Sequence, residues 1–96
     1  MKKTIIELIN YGVSTYSTTE GKCALSLAKT IEIASNDKFA DIIDVCKIII
    51  DTYGKRTSDG KFYFSPIPEK VFKKILKLEK TAHKRRMRKV INQINK

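Results

Sequence analysis

Tryptophan is absent from this 96-residue chain, histidine occurs once, and cysteine and proline occur twice each. Each scarcity narrows the reading. A single histidine, His83, offers no cluster for a metal and no neighbour of catalytic spacing. Its place inside a basic run reads as another solvent-facing polar group. Cys23 and Cys46 stand alone in apolar helical patterns, with no C-x-x-C spacing. They read as buried, reduced thiols rather than as a disulfide or a ligand pair. The glycine-rich signatures of nucleotide and dinucleotide sites are also missing. Asp41 and Asp44 share one helix face, but the pair reads as solvated surface. The expectation is a protein that is not an enzyme and uses no metal, no cofactor and no small-molecule substrate.

Long apolar runs are missing too. None exceeds three residues, as in Ile48-Ile49-Ile50, far short of a bilayer-spanning segment. The opening MKKTIIELIN is basic like a secretory leader, but Glu7 interrupts its apolar run after two residues. A cytoplasmic location is therefore expected, or the host cytoplasm if the source is viral.

Positive charge is what the chain has in excess. Twenty Lys and Arg oppose ten Asp and Glu, for a net charge of +10. The excess is not spread evenly. Residues 1–53 hold six lysines and seven acids, a net −1, and residues 54–96 hold fourteen Lys and Arg against three acids, a net +11. All four arginines (Arg56, Arg85, Arg86 and Arg88) lie in the second part. The chain is read as one domain, with residues 1–53 as a near-neutral helical scaffold and residues 54–96 as the contact surface.

Periodicity gives the elements. Ile5, Ile6, Leu8 and Ile9 predict a first helix over 3–11, with Gly12 as its C-cap. VSTYSTT reads as a loop or one short extended piece. Ala24, Leu27, Ala28, Ile31 and Ala34 predict a second helix, starting at Thr18 or Thr19 and ending near Ser35. Asn36-Asp37 reads as a tight turn and the next N-cap. A third helix over about 38–53 is apolar on most sides, which predicts that it is the central helix of the core. Its β-branched residues admit a strand over 45–50, but the polar stripe keeps helical spacing. Asp59-Gly60 predicts a two-residue turn in a β-hairpin over about 55–64. Pro66 and Pro68 prepare a last helix over about 68–94. The expected fold is mainly α: a compact four-helix domain with one small hairpin before a long basic C-terminal helix.

Two segments point to a partner. The run HKRRMRK places Lys84, Arg85, Arg86, Arg88 and Lys89 around most of one helical turn. Such a turn is expected to stand proud of the body or lie on its rim, because burying those charges is costly. Lys73 and Lys77 extend the basic surface upstream, together with Lys70, Lys74 and Lys80. The hairpin interleaves Lys55, Arg56 and Lys61 with aromatics. Alternation puts Phe62 and Phe64 on one face and leaves Lys61 and Tyr63 on the other, where phosphate contact or base stacking is possible.

The order of three helices and a basic hairpin resembles that of winged-helix DNA-binding domains over residues 3–64. The resemblance implies that the third helix reads the major groove. Asp41, Asp44 and Asp51 on its polar stripe oppose that, since carboxylates repel phosphate.

The leading expectation is non-catalytic nucleic-acid binding. Lysines supply point charges and arginines supply planar forks that grip phosphate. RNA is placed ahead of DNA because arginine-rich helices read RNA. Replacing Arg85, Arg86 and Arg88 by alanine is expected to abolish most binding without unfolding the domain. The alternative is a small regulator or inhibitor, of the kind phages and mobile elements encode, that docks on an acidic surface of a host protein. A membrane surface is disfavoured, since Phe72 is the only aromatic of the last helix. If 87–94 is exposed, Met87, Val90, Ile91 and Ile94 would suit a homodimer.

Overall fold

The computed structural model describes residues 2–94. Four helices and one two-stranded antiparallel hairpin follow each other as α1 (Lys2–Ser14), α2 (Thr19–Asn36), α3 (Ala40–Tyr53), β1 (Gly54–Arg56), β2 (Phe62–Phe64) and α4 (Glu69–Ile94). The fold is mainly α, with the hairpin placed before the long basic helix. No described helix is long and apolar enough to cross a membrane.

Helix α2 is the hub, not α3. Ten of its residues are buried, from Gly21 to Ala34, against Ile42, Cys46 and Ile49 in α3. The cause is residue size. Gly21, Cys23, Ala24, Ser26, Ala28, Thr30 and Ala34 are small, so neighbouring helices approach α2 on several sides. Helix α3 carries more bulk, yet it lies at the edge and leaves Ile48 65% exposed. Apolar breadth ranked the two helices in the wrong order.

The α1–α2 corner shows the same principle at two glycines. Helix α1 does not stop at Gly12 but runs through it to Ser14. Gly12 is buried because α2 passes there. A Cβ on it would lie 2.5 Å from Leu25 Cγ and 3.0 Å from the Gly21 carbonyl oxygen. A Cβ on Gly21 would lie 2.0 Å from the Thr15 carbonyl oxygen. The corner itself is held by hydroxyls. Thr15 Oγ1 donates to the Tyr11 carbonyl at 2.6 Å, and Thr18 Oγ1 caps α2 by accepting from the Gly21 N–H at 3.0 Å. The VSTYSTT segment is thus the end of α1 and a tight corner, with no strand.

Asp37 does not cap α3. It closes α2 instead, its N–H donating to the Ile33 carbonyl. Lys38 takes a left-handed φ of 61°, and α3 begins at Ala40 after Phe39 with no side-chain cap. This frees the Asp37 carboxylate for another role, described below.

The hairpin pairs Gly54 with Phe64, Lys55 with Tyr63 and Arg56 with Phe62. Its loop is therefore 57–61, longer than the two-residue turn expected at Asp59-Gly60. Gly60 supplies the left-handed residue, φ 86°, and Thr57 closes the loop by donating its N–H to the Lys61 carbonyl at 2.9 Å. Phe62 and Phe64 share one face, as alternation predicts, and meet Tyr11 edge-on at ring-centroid distances of 6.0 and 5.9 Å. The chain then enters α4 through Pro68, whose carbonyl accepts from the Val71 and Phe72 N–H groups. Glu20 steadies that entry by accepting from the Ile67 N–H at 3.1 Å.

Both cysteines are buried in this core and are not bonded to each other. Burial pushes both thiols up to about 11, so at pH 8 both remain protonated and unreactive. In an Ellman titration the native protein is expected to release almost no thiol signal, and the denatured protein two equivalents. Rapid labelling of the native protein would show that the core around Cys23 and Cys46 is open.

Candidate nucleic-acid interface

Helix α4 carries ten Lys and Arg against two Glu. Its 26 residues extend about 39 Å at 1.5 Å per residue, and the molecule measures 52 Å along its long axis. Its inner face is set by Ile75 and Ala82, both fully buried, with Val71, Phe72 and Leu78 packed beside them. Ser26 of α2 donates to Glu79 at 2.5 Å and ties that face to the hub.

The basic residues of α4 fall into two groups. Arg85 and Arg86 turn toward the body. Arg85 donates from both terminal nitrogens to the two carboxylate oxygens of Asp41, each at 2.8 Å, and its guanidinium lies 5.5 Å from the centre of the Phe39 ring. Arg86 Nε donates to Asp37 Oδ2 at 2.8 Å, and Lys89 Nζ reaches the other Asp37 oxygen at 4.0 Å. The hydrogen bonds from Arg85 hold the Asp41 carboxyl below its ordinary range, and the reciprocal bond pushes the guanidinium up. Two arginines of the HKRRMRK turn are thus engaged as a clamp on the α2–α3 turn. The turn lies on the rim of the body, as its charge required.

The second group faces solvent. Lys70, Lys73, Lys77, Lys80, Lys84 and Arg88 are all exposed and recur at three- and four-residue steps, which keeps them on one stripe. From Lys70 to Arg88 this ridge is about 27 Å long. Among the described residues its one acidic contact is Glu69, 3.5 Å from Lys73 with both side chains in water. Exposed pairs of that kind hold little. Lys74 flanks the ridge, and Lys70, Lys73, Lys74 and Lys77 line a shallow depression beside Leu78.

The hairpin divides in the same way. Arg56 is engaged by Glu7 of α1, with Nη2 donating to Oε1 at 2.9 Å and Nη1 to Oε2. That hydrogen bonding holds the Glu7 carboxyl below its ordinary range. Lys55, Lys61 and Tyr63 remain exposed, with Lys55 and Tyr63 directly opposite across the strands. Of the sequence-selected residues, the structure therefore leaves Lys73, Lys77, Lys84, Arg88, Lys55, Lys61 and Tyr63 open to a partner. It commits Arg85, Arg86, Arg56 and, at longer range, Lys89 to carboxylates of the first half. Lys70 and Lys80 are full members of the ridge, and their spacing was already visible in the sequence.

The apolar stripe at the end of α4 is exposed: Met87 by 56%, Val90 by 42%, Ile91 by 48% and Ile94 by 76%. Among the described residues no group of three or more His, Cys, Asp or Glu side chains could hold a metal. No protein-family profile, curated protein or solved structure matches the chain.

Proposed function

We propose that the protein binds nucleic acid without catalysis, and that the outward ridge of α4 is its principal contact. The observation that carries this reading is the separation of the basic residues. Arg85 and Arg86 are paired internally with Asp41 and Asp37, whereas six cations stand in one exposed row with Glu69 as its one acidic contact among the described residues. A row of point charges contacts phosphates and does not read base edges, so binding has little sequence preference. Lys55, Lys61 and Tyr63 on the hairpin form a second, smaller contact, with Tyr63 available for stacking. Two of the three arginines on which the preference for RNA rested lie on the protein's own carboxylates, so the proposal is for nucleic acid as a class.

The test is a titration against labelled single-stranded RNA, duplex RNA and duplex DNA over a range of salt. With about six phosphate contacts, affinity is expected to fall roughly 10³-fold between about 50 and 200 mM salt. Binding that is weak to all three ligands even at low salt would overturn the proposal. The second reading is then a regulator that docks on an acidic protein surface. The apolar stripe Met87, Val90, Ile91 and Ile94, set beside Lys84 and Arg88, supports it by offering a contact core within a basic rim. A single protein companion that survives nuclease treatment would favour that reading.

A further inference from the structure

Helix α1 is apolar on two faces and packs only one of them. Leu8 and Gly12 are buried against α2. On the far side Ile6, Ile9 and Val13 are 58%, 40% and 61% exposed, and Tyr16, just past the helix end, is 68% exposed. Ile6, Ile9 and Val13 stand three and four residues apart on the helix, so they form one stripe, and Tyr16 follows in the turn beyond it. Scattered apolar side chains on a surface are ordinary, but a contiguous row is not. We infer that this face joins two copies of the chain, with α1 packed antiparallel on the α1 of a second copy.

A second copy fits this face better than any other occupant because the stripe is its own complement. About the midpoint between Ile9 and Asn10, Ile6 mirrors Val13 and Ile9 mirrors Asn10. A two-fold axis there sets Ile6 on the partner's Val13 and brings the two Ile9 side chains together beside the axis. The helix ends agree. Helix α1 has no basic residue in its last turn, so its partly negative C-terminal end receives Lys2 and Lys3 from the antiparallel neighbour.

Net charge selects the same face. Residues 1–53 are near neutral, whereas residues 54–96 carry +11. The other exposed apolar stripe, Met87 to Ile94, is bordered by Lys84, Arg88 and Lys89. Pairing two copies there sets like charges against each other. Helix α4 packs on a different flank of α2, through Ser26 and Glu79, from the flank at Gly21 and Leu25 that receives α1. Joining two copies through α1 therefore leaves the basic ridge of each uncovered.

The stripe exposes on the order of 400 Å² per copy, and a pair with its polar rim buries about 1,000 Å² in total. That is the lower limit for a specific interface, so the dimer is expected to be weak and concentration-dependent.

Sedimentation velocity from about 1 to 500 μM tests this. The wild-type mass is expected to rise toward a dimer. The Ile6→Glu, Val13→Glu double variant is expected to stay monomeric with an unchanged thermal midpoint, since both positions are solvent-exposed. Under mild oxidation Ile9→Cys is expected to give an intermolecular disulfide. Ile48→Cys, on α3 and more exposed than Ile9, is expected to give none above background. The proposal is overturned by a wild type that is monomeric throughout, or by Ile9→Cys cross-linking no faster than Ile48→Cys. It is also overturned by a dimer that ignores the α1 changes and dissociates on Met87→Glu and Ile91→Glu, which would assign the interface to the end of α4.

Discussion

Replacing Lys77, Lys84 and Arg88 together by alanine is expected to weaken nucleic-acid binding about 100-fold near 0.15 M salt, with the fold intact. The magnitude follows from counterion release. Each phosphate contact contributes close to one unit of slope in a plot of log affinity against log salt. Removing three of about six contacts halves the slope. Taken from a 1 M reference down to about 0.15 M, that lost slope amounts to roughly two decades. The three positions lie at the middle and far end of the ridge and are exposed, and their side chains make no ion pair or hydrogen bond to another described residue. The contrasting variant is Arg85→Ala with Arg86→Ala. It removes the bonds to Asp41 and Asp37, so it is expected to lower the thermal midpoint and leave the salt slope at its wild-type value. Salt-dependent titrations of both variants decide the matter. If the arginine variant flattens the slope and the ridge variant does not, the binding face is the inner turn.

Gly21→Ala is expected to be the most damaging single-methyl change in the scaffold. Helix propensity alone predicts the opposite, because alanine is favoured over glycine by about 1 kcal/mol inside a helix. Here the added Cβ would meet the Thr15 carbonyl at 2.0 Å. That atom belongs to the backbone of a corner already bonded to Tyr11 and Thr18, so it cannot rotate aside as a side chain would. Overpacking of this kind costs about 3 kcal/mol. For a chain of this size the thermal midpoint would fall by roughly 10–20 °C. Gly12→Ala should cost less, because its nearest neighbour is the Leu25 side chain, which can give way. Thermal melts followed by circular dichroism check the order. A Gly21→Ala protein as stable as wild type would mean that the α1–α2 corner is looser than described.

Local rules carried the sequence reading well where the deciding residues are neighbours. Thr18 caps α2, Gly54 follows α3, Pro68 opens α4, and the strands alternate Phe62 and Phe64 inward, all within a few residues of their cause. The reading failed where the cause lies far along the chain. Gly12 looks like a helix stop until Leu25 is placed against it. Asp37 looks like a cap until Arg86, 49 residues later, arrives to hold it. The rank of α2 over α3 was hidden by a habit of weighing apolar bulk, when small side chains admit more neighbours. For the interface, the density of charge was legible and its partition was not. Half of that partition could have been found. The recurrence of Lys70, Lys73, Lys77, Lys80, Lys84 and Arg88 is a one-face helical pattern, the same signal that identifies a core stripe. The other half depends on Asp37 and Asp41, whose approach to Arg86 and Arg85 only the folded chain reveals.

The clamp formed by Arg85 and Arg86 bears on the thermodynamics of recognition. Arginine-rich segments that acquire structure on their target surrender chain entropy at the moment of contact. In this protein the helix that bears the cations is already packed along Ile75 and Ala82 and pinned further out by Asp41 and Asp37. Its conformational entropy is lost once, during folding, and not again at each encounter. On the proposed function, the cations would arrive as a preorganised row, and association would be governed by long-range attraction and ion release rather than by disorder-to-order change. A row of that kind suits fast, reversible contact with many sites.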